Sequence, residues 1–356
     1  MAYTEHTTQL PNGVDIFYTD SGAPNTADYT TLVIVHGLLF NGFGFSPLHS
    51  LVHQHNIRLI LPNRRGYSGS TPFTESEVAD MQAGKKEVQE RLALETAWFL
   101  KYLVENQATP RVSEDRRSGG IVLVGWSLAN ATTLSILAHP EVVKGEVYDA
   151  VEPYLRTVVA YDPPLSATAN PPPDPTLYNP LTDASVTPEQ LPNAILLWIS
   201  AFYEHGDIAS LQSSAVNWGK PPSSPSPEEI PTIDQWTPEE KAKYLDPFPV
   251  AMVDLQSSGP SMMPILADQM DRALFGSLSG QGTFFPRVDV RYVSGSKTMG
   301  ICIWPWMETS RMYAQAKEDL GKKPRKVEFV LVEGVNHFIH YHMPERFLRE
   351  MVGGSS

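Results

Sequence analysis

The sequence predicts an α/β protein with a mostly parallel, doubly wound sheet and a helical, proline-rich insertion, and three observations carry that prediction. Runs such as Thr31 to Val35 and Gly119 to Val124 are too continuously apolar for strands with one wet face, so they belong to a sheet covered on both sides. Amphipathic stretches at helical spacing alternate with these runs, as crossover connections between parallel strands require. Between Pro163 and Pro286 strand alternation stops, and 20 of the 31 prolines fall in that window. The window is too long for a plain loop in a compact domain, so it reads as a cap or lid. The chain therefore divides into a core of residues 1–162 and 287–356 and an insertion of residues 163–286.

Taken in order, Thr8 to Leu10, the turn Pro11-Asn12-Gly13, and Val14 to Tyr18 read as an edge β-hairpin, because Asn-Gly supplies positive φ between two strand-like runs. Thr31 to Val35 is a buried strand that ends in His36-Gly37-Leu38. Arg58 to Pro62 is another, leading into Asn63-Arg64-Arg65-Gly66-Tyr67-Ser68-Gly69-Ser70. From Glu87 to Gln107, Val88, Leu92, Phe99 and Leu103 recur at approximate helical spacing among charged residues, which predicts an amphipathic helix. Gly119 to Val124 is the central strand, and a helix is expected over Ala129 to Ala138, closing at His139-Pro140. Thr157 to Tyr161 follows as a strand ending in Asp162-Pro163-Pro164. Within the insertion, the proline clusters Pro171 to Pro175 and Pro221 to Pro227 separate helices expected over Asn193 to Glu204, Pro238 to Leu245 and Met262 to Phe275. The sheet resumes at Val288 to Ser294, a helix follows over Glu308 to Lys317, and Lys326 to Val332 is the last strand. Glu345 to Val352 closes the chain as a short amphipathic helix.

Ser127 stands on the sharp corner between the central strand and its helix, in Gly125-Trp126-Ser127-Leu128-Ala129. Such a corner demands small residues two before and two after the serine, and Gly125 and Ala129 meet that demand. The stretch resembles the nucleophile elbow, G-x-S-x-G, of the α/β-hydrolases, with Ala129 in place of the last glycine. Two further stretches carry the same resemblance. His36-Gly37 follows a strand as in the family's oxyanion loop, which implies the backbone N–H groups of Leu38 and Leu128 as donors to an oxyanion. Gly334-Val335-Asn336-His337 follows the last strand, where the family keeps its general base. The segment from Asn63 to Ser70 is similar to the family's D-x-R-G-x-G-x-S but puts Asn63 where the aspartate stands, and it reads as scaffold bracing the loops beside the site.

An alcohol is a poor nucleophile at neutral pH, so Ser127 needs a base within hydrogen-bond reach, and His337 is the candidate. His340 and His342 lie close to it in sequence, and their competing reading is a metal-ligating cluster. A carboxylate should orient His337. Most members of the family carry it after the strand represented here by Val288 to Ser294, yet Gly295 to Ile301 contains no acid. Some place it after the preceding strand, where Asp162 stands, so the resemblance assigns Asp162. Asp289 would lie inside a strand and Glu333 lies too near His337 along the chain. A dyad without a carboxylate is the alternative.

The resemblance implies a serine hydrolase acting through an acyl-enzyme, with neither metal nor organic cofactor. The substrate expected is a small apolar ester or lactone, because Trp198, Phe202 and Trp218 make the insertion rich in aromatic residues; these three and Trp126 are the candidates for lining its site. Amide or C–C bond hydrolysis and acyl transfer use the same constellation, and a ligand-binding homologue without catalysis would show a broken triad. Epoxide hydrolysis needs a carboxylate at the elbow, which Ser127 does not provide. A formal net charge of −13 disfavours nucleic acid and anionic membrane surfaces as partners. Cys302 is the single cysteine, so no intrachain disulfide forms. The N-terminal residues lack a basic start and an apolar core, and no long uncharged apolar run occurs, so a soluble, cytoplasmic protein without integral membrane association is expected. The oligomeric state is not legible.

Overall fold

Eight strands form one sheet, in the order β1-β2-β4-β3-β5-β6-β7-β8. They are β1 Thr4–Gln9, β2 Asp15–Asp20, β3 Thr30–Val35, β4 Ile57–Pro62, β5 Ile121–Trp126, β6 Leu155–Tyr161, β7 Asp289–Gly295 and β8 Val327–Val332. This computed structural model describes residues 3–171, 177–276, 282–319 and 323–353. β1 pairs antiparallel with β2, and β2 antiparallel with β4, so the expected hairpin forms one margin of the sheet. All remaining pairings are parallel. The fold class read from the sequence is the one observed.

The period-two alternation of side chains sorts each strand between two apolar layers. On one face Val33, Val35, Leu123, Val158 and Val290 pack with Ala93, Ala97 and Leu100 of the helix Glu87–Asn106. On the other, Leu32, Ile34, Val122, Val124 and Val159 pack with Phe45 and with Phe347, Leu348 and Met351 of the helix Pro344–Val352. Every residue of β3, β4 and β5 is buried, which is why their sequences lack polar alternation.

Three elements depart from the sequence reading. The helix expected over Ala129 to Ala138 is broken into the 3₁₀ turn Ser127–Ala129, the α turn Asn130–Thr133 and the 3₁₀ turn Leu134–Leu137. The buried Gln269 amide donates to the Ala131 carbonyl at 2.9 Å, occupying an acceptor that a continuous helix would use for its own ladder. The helix expected from Glu308 instead spans Gly300–Glu318 and carries Pro305 inside it. In the insertion, Met263–Met270 and the following turn Asp271–Phe275 place Met270, Ala273, Leu274 and Phe275 in the same apolar layer as Leu134 and Val288. This part of the 163–286 segment thus flanks the sheet instead of standing above it.

Between β6 and β7 no strand occurs among the described residues, only helices such as Leu191–Ser200, Pro238–Tyr244 and Phe248–Asp254 with turns between them. A single bridge, Phe40 to Leu245, ties that segment to the loop after β3. Pro172 to Pro175 of the first proline cluster lie outside the described residues. No helix among the described residues is long and apolar enough to cross a membrane.

Phe347 is fully buried, with ring centroids 5.2 Å from Tyr161 and 6.2 Å from Phe45. Phe347→Ala should cost about 3 kcal/mol of stability through the cavity it leaves, read as a lower urea midpoint with an unchanged slope.

Candidate active site

Ser127 has φ of 56°, a left-handed conformation that a non-glycine residue holds only when its surroundings enforce it. Two glycines make that geometry possible. A Cβ at Gly125 would lie 2.1 Å from Thr133 Oγ1, so the turn after Ser127 could not pack against β5. A Cβ at Gly37 would lie 2.8 Å from Ser127 Cβ, which shows how closely the loop after β3 approaches the serine. Asn130 secures the corner by donating to Ser127 O at 2.8 Å and Tyr161 O at 3.2 Å. Ala129 is fully buried in the apolar layer, where a methyl group fits.

His337 lies on the loop after β8, 1% exposed. Its backbone carbonyl accepts two side-chain hydrogen bonds, from Trp126 Nε1–H at 3.1 Å and from Tyr161 Oη–H at 2.9 Å. Asn336 braces the same loop by donating to Ser200 O at 2.7 Å and Thr232 Oγ1 at 2.9 Å. The ring Nδ1 is hydrogen-bonded to Asp162 Oδ2. With its proton on that side, the ring presents Nε2 as the basic nitrogen.

Asp162 is fully buried at the end of β6, also at positive φ (47°), and its amide donates to Val293 O at 2.7 Å. Its carboxylate accepts from Ser294 Oγ and, at 2.6 Å, from Thr298 Oγ1. β7 and the loop after it, which carries no acid in sequence, thus contribute one hydroxyl each, Ser294 from the strand and Thr298 from the loop, that hold the acid projecting from β6. Sequence reading passed over Ser294 and Thr298 because isolated hydroxyl residues carry no pattern.

Ser127 and His337 both line a cavity of about 560 Å³, together with Leu38, Leu128 and Trp198. The Leu128 N–H belongs to the first turn after Ser127 and has no carbonyl one turn back in its own helix. Of the four aromatic residues expected at the cavity, Trp198 alone lines it. Trp126 precedes the corner and points to the opposite face of the strand, with its ring centroid 5.0 Å from that of His337. Phe202 packs on His342 at 5.2 Å, and Trp218 packs on Trp304 at 6.1 Å. The sequence overlooked instead the flexible side chains Met252, Met263 and Met299, whose isolated positions in the chain form no motif.

The loop after β3 is anchored by its own histidine. The fully buried His36 donates from Nδ1 to Gly37 O at 3.0 Å and accepts the Arg64 N–H at Nε2, 2.9 Å away. Burial, helped by the Arg64 charge, pushes its pKa down to about 3, so the ring stays neutral in this double role. Tyr67 Oη donates to Asp254 at 2.9 Å and accepts from Leu39 N–H at 3.3 Å, while Arg64 makes two 2.6 Å contacts with Asp254. Asn63 accepts from Gly42 N–H and donates to Ser68 O, both at 2.7 Å, and so ties two loops together.

His340 and His342 do not join His337 around a common point. His340 stacks on Phe45 at 4.0 Å and hydrogen-bonds Tyr161 Oη, and burial holds its pKa well below the ordinary value. His342 bonds Thr232 Oγ1 at 2.8 Å, with burial lowering its pKa to about 4. Among the described residues, the groupings close enough to share a metal ion are Asp162 with Cys302 and His337, and Glu90 with His139 and Glu141; neither contains His340 or His342.

A model of the alpha/beta hydrolase family matches residues 32–350, which takes in every strand from β4 to β8, β3 from Leu32 onward, and the whole site. The chain belongs to the alpha/beta hydrolase family. Solved structures with the same architecture include a point mutant of an epoxide hydrolase from Solanum tuberosum (12% identity, 99% of this chain and 98% of that one, TM-score 0.58). Others are a mutant epoxide hydrolase from Vigna radiata (12%, 99% and 98%, 0.56) and a protein assigned as an aryl esterase from Burkholderia cenocepacia (14%, 98% and 97%, 0.51). At such identities the likeness is one of fold. No curated protein sequence matches this α/β-hydrolase.

The buried neutral histidines make the stability of this α/β-hydrolase pH-dependent. His36, with a pKa of about 3, and His49, with one of about 4, would each titrate near 6.5 in the unfolded chain. Below pH 6.5 the unfolded state therefore binds more protons, and stability falls as the pH drops toward 3. At pH 5 His36 alone should account for a loss of about 2 kcal/mol, read as a lower urea midpoint at pH 5 than at pH 7.

Proposed function

We propose that this α/β-hydrolase is a serine hydrolase that cleaves a carboxylic ester or lactone with an apolar portion. The observation that carries the reading is the buried His337–Asp162 pair opening on the cavity that Ser127 shares. In this reading His337 Nε2 takes the Ser127 proton as Oγ attacks the substrate carbonyl. Asp162 keeps the other ring proton on Nδ1 and stabilises the imidazolium that forms. The Leu38 and Leu128 amides receive the tetrahedral oxyanion, each donor lowering the barrier by about 3 kcal/mol. His337 then passes the proton to the leaving alkoxide. In the second half it deprotonates water, which attacks the acyl carbon and releases the acid. For a lactone the alcohol stays tethered to the acyl group until that second step. The helices between β6 and β7 act as the cap, excluding water from the charge-separated transition state.

The epoxide hydrolases among the structural relatives do not supply the better model. Opening an epoxide through an ester intermediate needs a carboxylate at the corner and an acid for the departing oxygen. Ser127 occupies the corner, and no carboxylate or tyrosine lines the cavity among the described residues.

Ser127→Ala should lower turnover of a short nitrophenyl ester by about a thousandfold or more and abolish labelling by a fluorophosphonate. Retained turnover would remove Ser127 from the mechanism. Asp162→Asn should lower kcat about 10³- to 10⁴-fold through the wrong histidine tautomer, and a near-normal rate would show that His337 works without it.

A further inference from the structure

The cavity beside Ser127 differs from the rest of this acidic protein in its lining. Among the described residues no Asp, Glu, Lys, Arg, Tyr or Cys contributes to it, and His337 is its one titratable side chain. Placing an ionised group there would strip its water without offering a counter-charge. The lining is nevertheless not uniformly apolar. Gln256 and Ser258 sit two residues apart on the turn Leu255–Ser258. Gln256 spends a donor on Met252 O at 3.2 Å, which leaves its carbonyl oxygen to accept. Ser258 is 5% exposed, and its hydroxyl oxygen is buried with no hydrogen-bond partner among the described residues. Leaving such a group unpaired is unfavourable, and a polar ligand atom in the cavity beside it would relieve that cost.

We propose that the cavity takes an uncharged ligand whose apolar body carries one oxygen, a hydroxyl or a carbonyl, that hydrogen-bonds the Ser258 hydroxyl beside Gln256. The proposal rests on the ester-hydrolase reading for the identity of the reacting group, and it adds what the remainder of the molecule must be. Ser258 can donate to a carbonyl or exchange both roles with a hydroxyl, and Gln256 can accept from a hydroxyl. Met252 and Met263 on either side adapt to a bulky chain or ring, so selectivity comes from polarity more than from shape. A substrate bearing a carboxylate or ammonium group along its body is rejected, and the acid product, once ionised, is driven out.

The test uses nitrophenyl esters of medium-chain acids of equal length. One is plain, one set carries a hydroxyl or oxo group stepped along the chain, and one ends in a free carboxylate. The carboxylate ester should show a kcat/KM at least about a hundredfold below the plain ester. At one position the oxygenated ester should be favoured about fivefold, and Ser258→Ala should erase that ratio. Met252→Lys, at a half-buried position, should raise the carboxylate ester relative to the plain one at least tenfold. Equal rates for charged and plain esters, or a ratio insensitive to Ser258→Ala at every position, would overturn the proposal. The corresponding methyl ketones, titrated by tryptophan fluorescence against a Trp198→Phe control, give a readout independent of turnover. The same preferences in binding with no ester hydrolysis would support this inference while refuting the hydrolase reading.

Discussion

The hydrogen bond between Asp162 and His337 is the constraint on which the site depends, because it joins the ends of strands that are far apart in sequence. Asp162 projects from β6, His337 from the loop after β8, and β7 lies between them and holds the carboxylate through Ser294 and its loop residue Thr298. Parallel strands in register bring their carboxyl ends to one rim, so residues 175 positions apart meet without any local sequence relation. A buried carboxylate with two hydroxyl donors and an imidazole partner is a satisfied group, and removing any one partner leaves the others in a poorly solvated place.

Around this contact the loops are fixed by polar side chains. Trp126 and Tyr161 clasp the His337 carbonyl from beneath, and His36 holds the loop after β3 against the chain at Arg64. Asp254 and Asp246 extend the bracing to the segment between β6 and β7: Asp254 binds Arg64 and Tyr67, and Asp246 binds Asn41 at 2.8 Å and the Ser68 N–H at 2.9 Å. The loop carrying Leu38 is therefore set by the sheet below it and by the insertion above it. In the proposed chemistry that arrangement aims an oxyanion donor before substrate arrives, so no reorganisation opposes the reaction.

Much of this was legible in sequence because the physics is local there. Continuous apolar runs mark strands covered on both faces, and a serine between small residues marks a strained corner, so the sheet, Ser127 and the loops at His36 and His337 could all be placed. Asp162 could be singled out only through resemblance and the absence of an acid after Ser294. Side-chain direction was not legible: Trp126, one residue before the corner, points away from the cavity, and Phe202 and Trp218 bury themselves against other rings. The core packing of Met270 to Phe275 was hidden by prolines that made the whole 163–286 segment look alike. The cavity's uncharged lining, with Met252, Gln256 and Ser258, arises from turns that share no motif.

The measurement that tests the proposed chemistry most directly is rapid-quench mass spectrometry of the wild-type protein during turnover of a slowly deacylated nitrophenyl ester. An acyl-enzyme mechanism requires the intact protein to gain the mass of one acyl group, located after digestion on the peptide that contains Ser127 and lost as the acid is released. Turnover with no covalent adduct, or with the acyl group on another side chain, would contradict it.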